Sequence, residues 1–230
     1  MTIVYSTLPS ALASVKNGIA VIGITGRAGA GKTSKVAPGI ATIANEMGLW
    51  SATLSLDAFF ILSSEERAEW LAEGIRLGPE EAARRRDQMT WWNFERLEEV
   101  LQTLKCGHPV HLRNVYNRAD RGRLTGEINL IPPKGKPGVL SLEGVAIVHL
   151  KSMDRLFYVH APSDVRFARL CKRDIYRAPE EMRTRFQLTE EFESKYFSQH
   201  KNRLHHWIDN SSHNGDHNDL SIYTGMDGIL

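Results

Sequence analysis

The chain has 230 residues, of which 42% are hydrophobic and 24% charged. That balance excludes a wholly disordered polymer and leaves ample length for one large core. The 29 basic and 27 acidic side chains leave a formal charge of +2, so bulk charge does not announce a polyanionic partner.

The first 17 residues space Leu8, Leu12 and Val15 as a short leading helix would. They carry no basic start followed by a long apolar run. The longest apolar-plus-glycine run, Gly18 to Ile24, has seven residues, and a bilayer span needs about 20. The expectation is a cytoplasmic protein without membrane contact. Ile19 to Ile24 is β-branched and continuously apolar, which predicts a strand buried on both faces of a parallel sheet. After a glycine-rich turn, a helix is predicted from about Thr33 to Met47, closed by Gly48. Ala52 to Leu56 predicts a second buried strand. Ser63-Ser64-Glu65-Glu66 opens another helix, and Gly78-Pro79 breaks it with proline suited to a first helical position. Asn93 caps a helix to Lys105 whose apolar face is Phe94, Leu97, Val100, Leu101 and Leu104.

Val110 to Val115 and Thr125 to Leu130 predict a two-stranded excursion around an arginine- and glycine-rich loop, 118–123. Pro132 to Gly138 is turn-rich linker. Val139 to Leu142 is a third buried strand, continued by small apolar residues over Val145 to Val148, and Leu156 to Val159 is a fourth. Ser163 or Asp164 is placed to cap a helix through Tyr176, and Pro179 to Phe197 is a further, charge-rich helix. Residues 211–230 are polar and predict a loosely ordered tail. Strands alternating with amphipathic helices indicate an α/β fold with a mainly parallel sheet, one domain over 1–210. Cys106 and Cys171 stand 65 positions apart, a spacing of neither a redox pair nor a zinc knuckle, and read as idle thiols.

The strongest motif is Gly26-Arg27-Ala28-Gly29-Ala30-Gly31-Lys32-Thr33, which matches G-x-x-x-x-G-K-[ST] at every fixed position. It sits between a predicted strand and a predicted helix, as the chemistry needs. Glycines let successive backbone N–H groups turn inward toward phosphate oxygens, and the following helix N-terminus adds partial positive charge. Lys32 would reach the β- and γ-phosphates and Thr33 would ligate Mg²⁺, with Ser34 completing the loop. The turn predicts nucleotide binding and does not choose among kinase, GTPase and motor.

Three features point to a kinase. Asp57 ends the second strand on the side of the phosphate turn, where a carboxylate can take the proton of an attacking hydroxyl or help hold Mg²⁺; capping the next helix is the plainer reading. Glu143 ends the third strand and can hold Mg²⁺ through water or orient the acceptor; a carboxylate that merely edges the loop is the plainer reading. Arg166, Arg169 and Arg173 share a helix face within a segment, 166–185, of seven basic and three acidic residues. As a lid, about 164–185, such cations neutralise a transferring phosphoryl group; as a surface, they are solvated. Segment 113–123 holds four arginines, Arg113 and Arg118 among them, against one aspartate. It suits an acceptor bearing phosphate or carboxylate, or a nucleic-acid backbone, and equally a plain charged surface. Trp91-Trp92 can stack a base, although tryptophans more often pack. His205-His206 and His213/His217 lack a carboxylate–histidine metal motif.

Taken together, GITGRAGAGKTS (23–34), SLDAFF (55–60), WWNFERLEEVLQTLKCGHPVHLRNVYNRADRGRLTG (91–126), LSLEGV (140–145) and DRLFYVHAPSDVRFARLCKRDIYR (154–177) resemble the uridine kinase/phosphoribulokinase group of P-loop kinases over about residues 19–210. That group also holds pantothenate kinase and glycerate-kinase-like proteins. The resemblance implies a three-layer α/β/α P-loop fold with an acceptor-binding excursion, about 57–130, and a helical lid. It implies ATP and Mg²⁺, and transfer of the γ-phosphoryl to an alcohol. It makes Asp57 the catalytic aspartate, Phe60 an acceptor-side aromatic, Phe94 the start of an acceptor-domain helix and Tyr116 the acceptor-segment tyrosine. Glu143 becomes the strand-end acid, and Arg169 and Arg173 become lid arginines that meet ATP phosphates. Asn117 stands where aspartate usually follows the tyrosine, the histidine common in uridine kinases is absent, and the lid lacks its usual glycine. These departures point away from uridine itself.

The expected acceptor is a nucleoside or another small metabolite, recognised by 57–60, 91–94 and 113–123. One alternative is a kinase acting on hydroxymethyl bases within DNA, as phages use. Another is a nucleotide-dependent switch, disfavoured by the lack of an N-K-x-D motif.

Overall fold

A computed structural model describes residues 6–7, 12, 18–211 and 221–224. Its sheet grows outward from Ile19–Thr25 (β2), in which every residue but Ala20 is buried. Continuous β-branched sequence of this kind is stable only where both faces are covered. On one side β2 pairs in parallel with Gly138–Glu143 (β6), and β6 with Trp50–Ser55 (β3). On the other, Arg155–His160 (β7) and His206–Asp209 (β8) follow in parallel. Ser221–Thr224 (β9) is antiparallel to β8, and Ser6–Thr7 (β1) is antiparallel to β9. Seven strands therefore lie in the order β1-β9-β8-β7-β2-β6-β3.

Helices cover both faces. A π-type turn, Lys32–Val36, leads into α1 (Ala37–Glu46). On α1's side Ile40 and Ala44 pack with Ile22, Ile24, Val139, Phe157 and Ile208. Opposite, α4 (Phe94–Lys105) buries Leu97, Val100, Leu101 and Leu104 with Leu140, Leu142 and Tyr158. Each such side chain contributes roughly 1.5–3 kcal/mol on leaving water. Asn93 caps α4 as expected, its Oδ1 accepting the Arg96 N–H at 2.9 Å. Ser63 and Glu66 form a reciprocal capping box for α2 (Ser64–Leu77), which Pro79 follows at the first position of α3 (Pro79–Arg86). Val110–Asn117 (β4) and Arg123–Leu130 (β5) make the expected antiparallel excursion. The chain then closes the layer with α5 (Ser163–Arg173) and α6 (Pro179–Gln199).

Several local expectations need correction. Val145–Val148 is not a strand: Gly144 N–H bonds the Ile24 carbonyl at 3.1 Å, and the chain leaves the sheet in turns that bury Ala146, Ile147 and Val148. α5 ends at Arg173 rather than Tyr176, and Pro162, not Ser163 or Asp164, holds its N-cap position without a side-chain cap. Residues 6–7 are a strand, Leu12 of the proposed leading helix is helical, and the rest of that helix lies outside the described residues. The expected loose tail contributes β9 to the sheet. Cys106 is exposed and Cys171 partly exposed, both as free thiols.

Candidate active site

Sheet register assembles the site. Glu143 at the end of β6 pairs with Ile24 of β2 on one side and Ser55 of β3 on the other. The turn that begins at Gly26 and the Asp57 side chain, each two residues further on, must therefore flank Glu143 at the same sheet edge. The Thr33 hydroxyl donates to Glu143 Oε2 at 2.9 Å. The 3₁₀ turn Leu56–Phe59 that carries Asp57 is pinned where Ser55 Oγ accepts the Asp57 N–H.

The turn itself is braced from three sides. Lys32 is buried, its Nζ donating to the carbonyls of Gly26 at 2.6 Å and Arg27 at 3.1 Å. Burial pushes Lys32 below its ordinary value, opposed by Glu193, Glu143 and Asp57 in that order. Gly29 adopts φ +78°, and a Cβ there would meet the Arg166 carbonyl oxygen at 2.5 Å. Glycine is thus required both by backbone conformation and by the close approach of α5. Arg169 hydrogen-bonds the Asn210 carbonyl at 2.9 Å and reaches the Gly29 and Ala30 carbonyls at 3.4 and 3.5 Å. Asn210 Nδ2 donates to the Ala30 carbonyl at 2.8 Å. From α6, Glu193 accepts the Ala28 N–H at 2.8 Å, and Glu190 takes Arg27 and, through both oxygens, Arg166.

On the acceptor side Arg118 grips Asp57 Oδ2 at 2.5 Å. Phe60 stacks on Trp92 with centroids 5.1 Å apart and leans on Tyr116 at 4.9 Å. Phe94 stands edge-on to His149 at 4.5 Å. The Arg67 guanidinium lies 4.0 Å above the Phe60 ring. The hairpin tip docks on α2 through Ser64 N–H to the Gly122 carbonyl at 2.9 Å and a Ser64–Tyr116 hydroxyl contact at 3.1 Å. The arrangement offers a phosphate cradle, a hydroxyl–carboxylate pair fit for a divalent cation, and a carboxylate three residues before Phe60, whose ring packs with Trp92 and Tyr116.

The model of the phosphoribulokinase/uridine kinase family matches residues 21–218. The chain belongs to that family. Its members are phosphotransferases that act on hydroxyl groups, and ATP with Mg²⁺ is their general requirement. Similar solved structures share the P-loop fold. A putative fructose transport system kinase from Silicibacter sp. TM1040 has 18% identity and TM-score 0.59, over 83% of this chain and 95% of that one. A possible uridine kinase from Bacillus stearothermophilus has 19% and 0.54, over 84% and 90%. Phosphoribulokinase from Rhodobacter spheroides has 15% and 0.59, over 84% and 71%. No curated protein matches the chain. Among the described residues, no helix of this kinase is long and apolar enough to cross a membrane.

Of the residues expected at the kinase's site, Gly26 to Ser34, Asp57, Phe60, Tyr116, Arg118 and Glu143 gather at the one edge. Arg169 reaches the turn, but through its carbonyls. Arg173 forks onto Asp174 with two 2.8 Å bonds, and Arg118 is the next arginine within electrostatic reach of that aspartate. Arg166, expected on the cationic face, is buried against Glu190. Trp92 is packed in the core, and Arg113 lies on the solvent face of β4, 3.9 Å from Glu127. With Arg118 on Asp57 and Arg123 on Asp120, three of the four loop arginines face carboxylates of the chain. Sequence reasoning missed Arg67, Glu193 and Asn210.

Proposed function

We propose that this kinase binds Mg·ATP in the turn Gly26–Ser34 and transfers the γ-phosphoryl to a hydroxyl of a small metabolite presented to Asp57. The observation that carries this reading is the convergence of Lys32, Thr33, Glu143 and Asp57 at one sheet edge, with the aromatic cluster of Phe60 and Tyr116 following Asp57. Thr33 and Glu143 fit a divalent cation, being a hydroxyl and a carboxylate already in contact, and Asp57 can assist. Bound Mg²⁺ supplies neutralisation of phosphate charge. Lys32 leaves the loop carbonyls for the phosphate oxygens, so its ammonium exchanges weak dipoles for full charges. The acceptor hydroxyl gives its proton to Asp57 as its oxygen bonds to the γ-phosphorus. The bond from that phosphorus to the bridging oxygen breaks, and ADP leaves. Arg118 holds Asp57 through Oδ2, which leaves Oδ1 to accept the proton. Arg169 acts as a positioning residue by fixing the carbonyl side of the turn.

The test is a transfer screen with ATP labelled at the γ-position. Acceptors are nucleosides, sugar phosphates, sugar acids, pantothenate, and DNA with and without hydroxymethyl bases. Label on a small molecule, lost in Lys32→Ala, is the expected result. Label on DNA alone would replace the acceptor class. Slow hydrolysis without transfer to any acceptor would favour a nucleotide-dependent switch.

A further inference from the structure

We infer that Glu193 of α6 sets the nucleotide affinity of this kinase: its carboxylate occupies the Ala28 amide in place of a phosphate oxygen, and ATP enters the turn by displacing it. The inference rests on the nucleotide site proposed above and goes beyond it by giving that site a competitor within the chain.

α6 clasps the start of the phosphate turn along one face, because Glu190, Glu193 and Ser194 stand three and four residues apart. Glu190 Oε2 accepts from Arg27 Nη1 at 3.2 Å, and Ser194 Oγ accepts from the same nitrogen at 2.9 Å. Glu193 Oε1 accepts the Ala28 N–H at 2.8 Å. Glu190 is a settled ion pair, since Arg166 holds both its oxygens at 2.6 and 2.9 Å. Glu193 is not. It is 1% exposed, and its Oε2 has no partner among the described residues. The two arginines that could neutralise it, Arg27 and Arg166, pair with Glu190 instead. Its charge bears on the cation of the turn. Among the carboxylates that oppose the lowering of Lys32 by burial, Glu193 acts most strongly, ahead of Glu143 and Asp57. Lys32 Nζ lies against the Gly26 and Arg27 carbonyls, so the ammonium and the Ala28 amide adjoin the same stretch of turn.

For a backbone amide and an ammonium, a carboxylate oxygen and a phosphate oxygen are the same kind of ligand. Both anions cannot keep them. Like charges this near repel, and in a buried site water screens them little. A neutral acceptor would brace the Ala28 N–H without the desolvation cost of an unpaired charge. The carboxylate is therefore placed for exchange and not for bracing alone. Arg27, Ala28, Gly29 and Gly31 are partly exposed, which leaves the outer side of the turn open to an incoming phosphate. Glu193 thereby weakens nucleotide binding and returns to Ala28 as ADP leaves.

The test is calorimetric titration of wild type, Glu193→Gln and Glu193→Met with Mg²⁺ and a non-hydrolysable ATP analogue, and separately with Mg²⁺ and ADP. The titrations are run at pH 8, where the carboxyl, pushed up to about 7 by burial against the pull of Lys32 and the Ala28 N–H, is ionised. Both replacements approximate the volume of glutamate; Gln keeps an oxygen for Ala28, and Met frees the amide. Each variant should bind the analogue roughly three- to thirtyfold more tightly than wild type, with a smaller gain for ADP, which brings one phosphate fewer. In turnover the KM for ATP should fall with no gain in kcat. A merely structural role predicts the opposite sign, since losing a brace loosens the turn. Thermal melting without nucleotide checks that each variant folds, and should one not fold, the other decides. Analogue affinity equal to or weaker than wild type in either folded variant would overturn the inference, make Glu193 a brace and leave the kinase reading intact. No binding of either nucleotide by wild type and variants alike would sink the kinase reading and the inference with it.

Discussion

On the proposed function, Asp57 is the residue on which chemistry and recognition meet. Its carboxylate is held by Arg118 at 2.5 Å, while Phe60, three residues on, packs its ring against Tyr116. Asn in its place keeps the shape and the capping of the 3₁₀ turn, because Ser55 accepts from the backbone N–H of residue 57. What it loses is the ability to take a proton. Asp57→Asn should therefore lower kcat by about 10²–10⁴-fold, the usual worth of a general base. ADP affinity, set by the turn, should stay within a few-fold. Steady-state kinetics with calorimetry on the same preparation checks both; wild-type kcat in the variant would remove Asp57 from the reaction. Glu143 sits deeper, with Thr33 on one oxygen. Glu143→Gln keeps its volume but weakens the proposed cation site, so the Mg²⁺ concentration for half-maximal rate should rise severalfold.

At the scale of elements, the hairpin β4–β5 brings Tyr116 and Arg118 to the site only because its tip seats on the start of α2. Gly122 makes that seat. Its φ is +79°, and a Cβ would fall 2.2 Å from Ser64 Oγ and 2.7 Å from the Tyr116 hydroxyl. Gly122→Val adds both backbone strain and a clash, costing on the order of 1–3 kcal/mol. Acceptor KM should rise severalfold with a smaller change in ADP binding, as Gly122 seats against Ser64 and Tyr116 and not against the phosphate turn; equal loss of both would mean the tip supports the whole fold. The sequence makes much of this layer legible. The Walker-type turn, the β-branched core strands, the Asn93 and Ser63 caps and the arginine loop all carry local signals. β8 and β9 do not: each is four residues long, and β8 carries no alternation that sets it off from the loop before it. Arg67 reads locally as one more charge on the exposed helix Ser64–Leu77, and only long-range packing sets it among Phe60, Trp91 and Tyr116. Glu193 did carry a signal. It stands three and four residues before Tyr196 and Phe197, on the buried stripe of α6, where an acid is out of place.

For the molecule as a whole, that buried acid makes stability depend on pH. Glu193 is 1% exposed, accepts the Ala28 N–H through Oε1, and has no partner for Oε2 among the described residues. Burial pushes its carboxyl up to about 7, against the pull of Lys32 and the Ala28 N–H. A carboxyl that holds its proton more tightly when folded stabilises the fold fully below its unfolded value, near 4.5, and loses that contribution as pH rises through about 7. At this site the unfolded chain binds fewer protons than the native one across that window. While His149, His160, His200 and His206, all held below their ordinary value first by burial, add stability that rises with pH, the Glu193 contribution falls with pH there. The size is on the order of 3 kcal/mol at most. Glu193→Gln retains an oxygen for Ala28 and removes the titration. Chemical denaturation between pH 5 and 8 should show the unfolding free energy of wild type falling relative to that of Glu193→Gln, with the variant gaining on wild type toward pH 8. Because the same side chain braces the phosphate turn, ADP affinity should decline over the same pH range in wild type and less steeply in the variant. Parallel slopes in the two proteins would show that Glu193 stays ionised beside Lys32, and that the pair, rather than a proton, satisfies the buried charge.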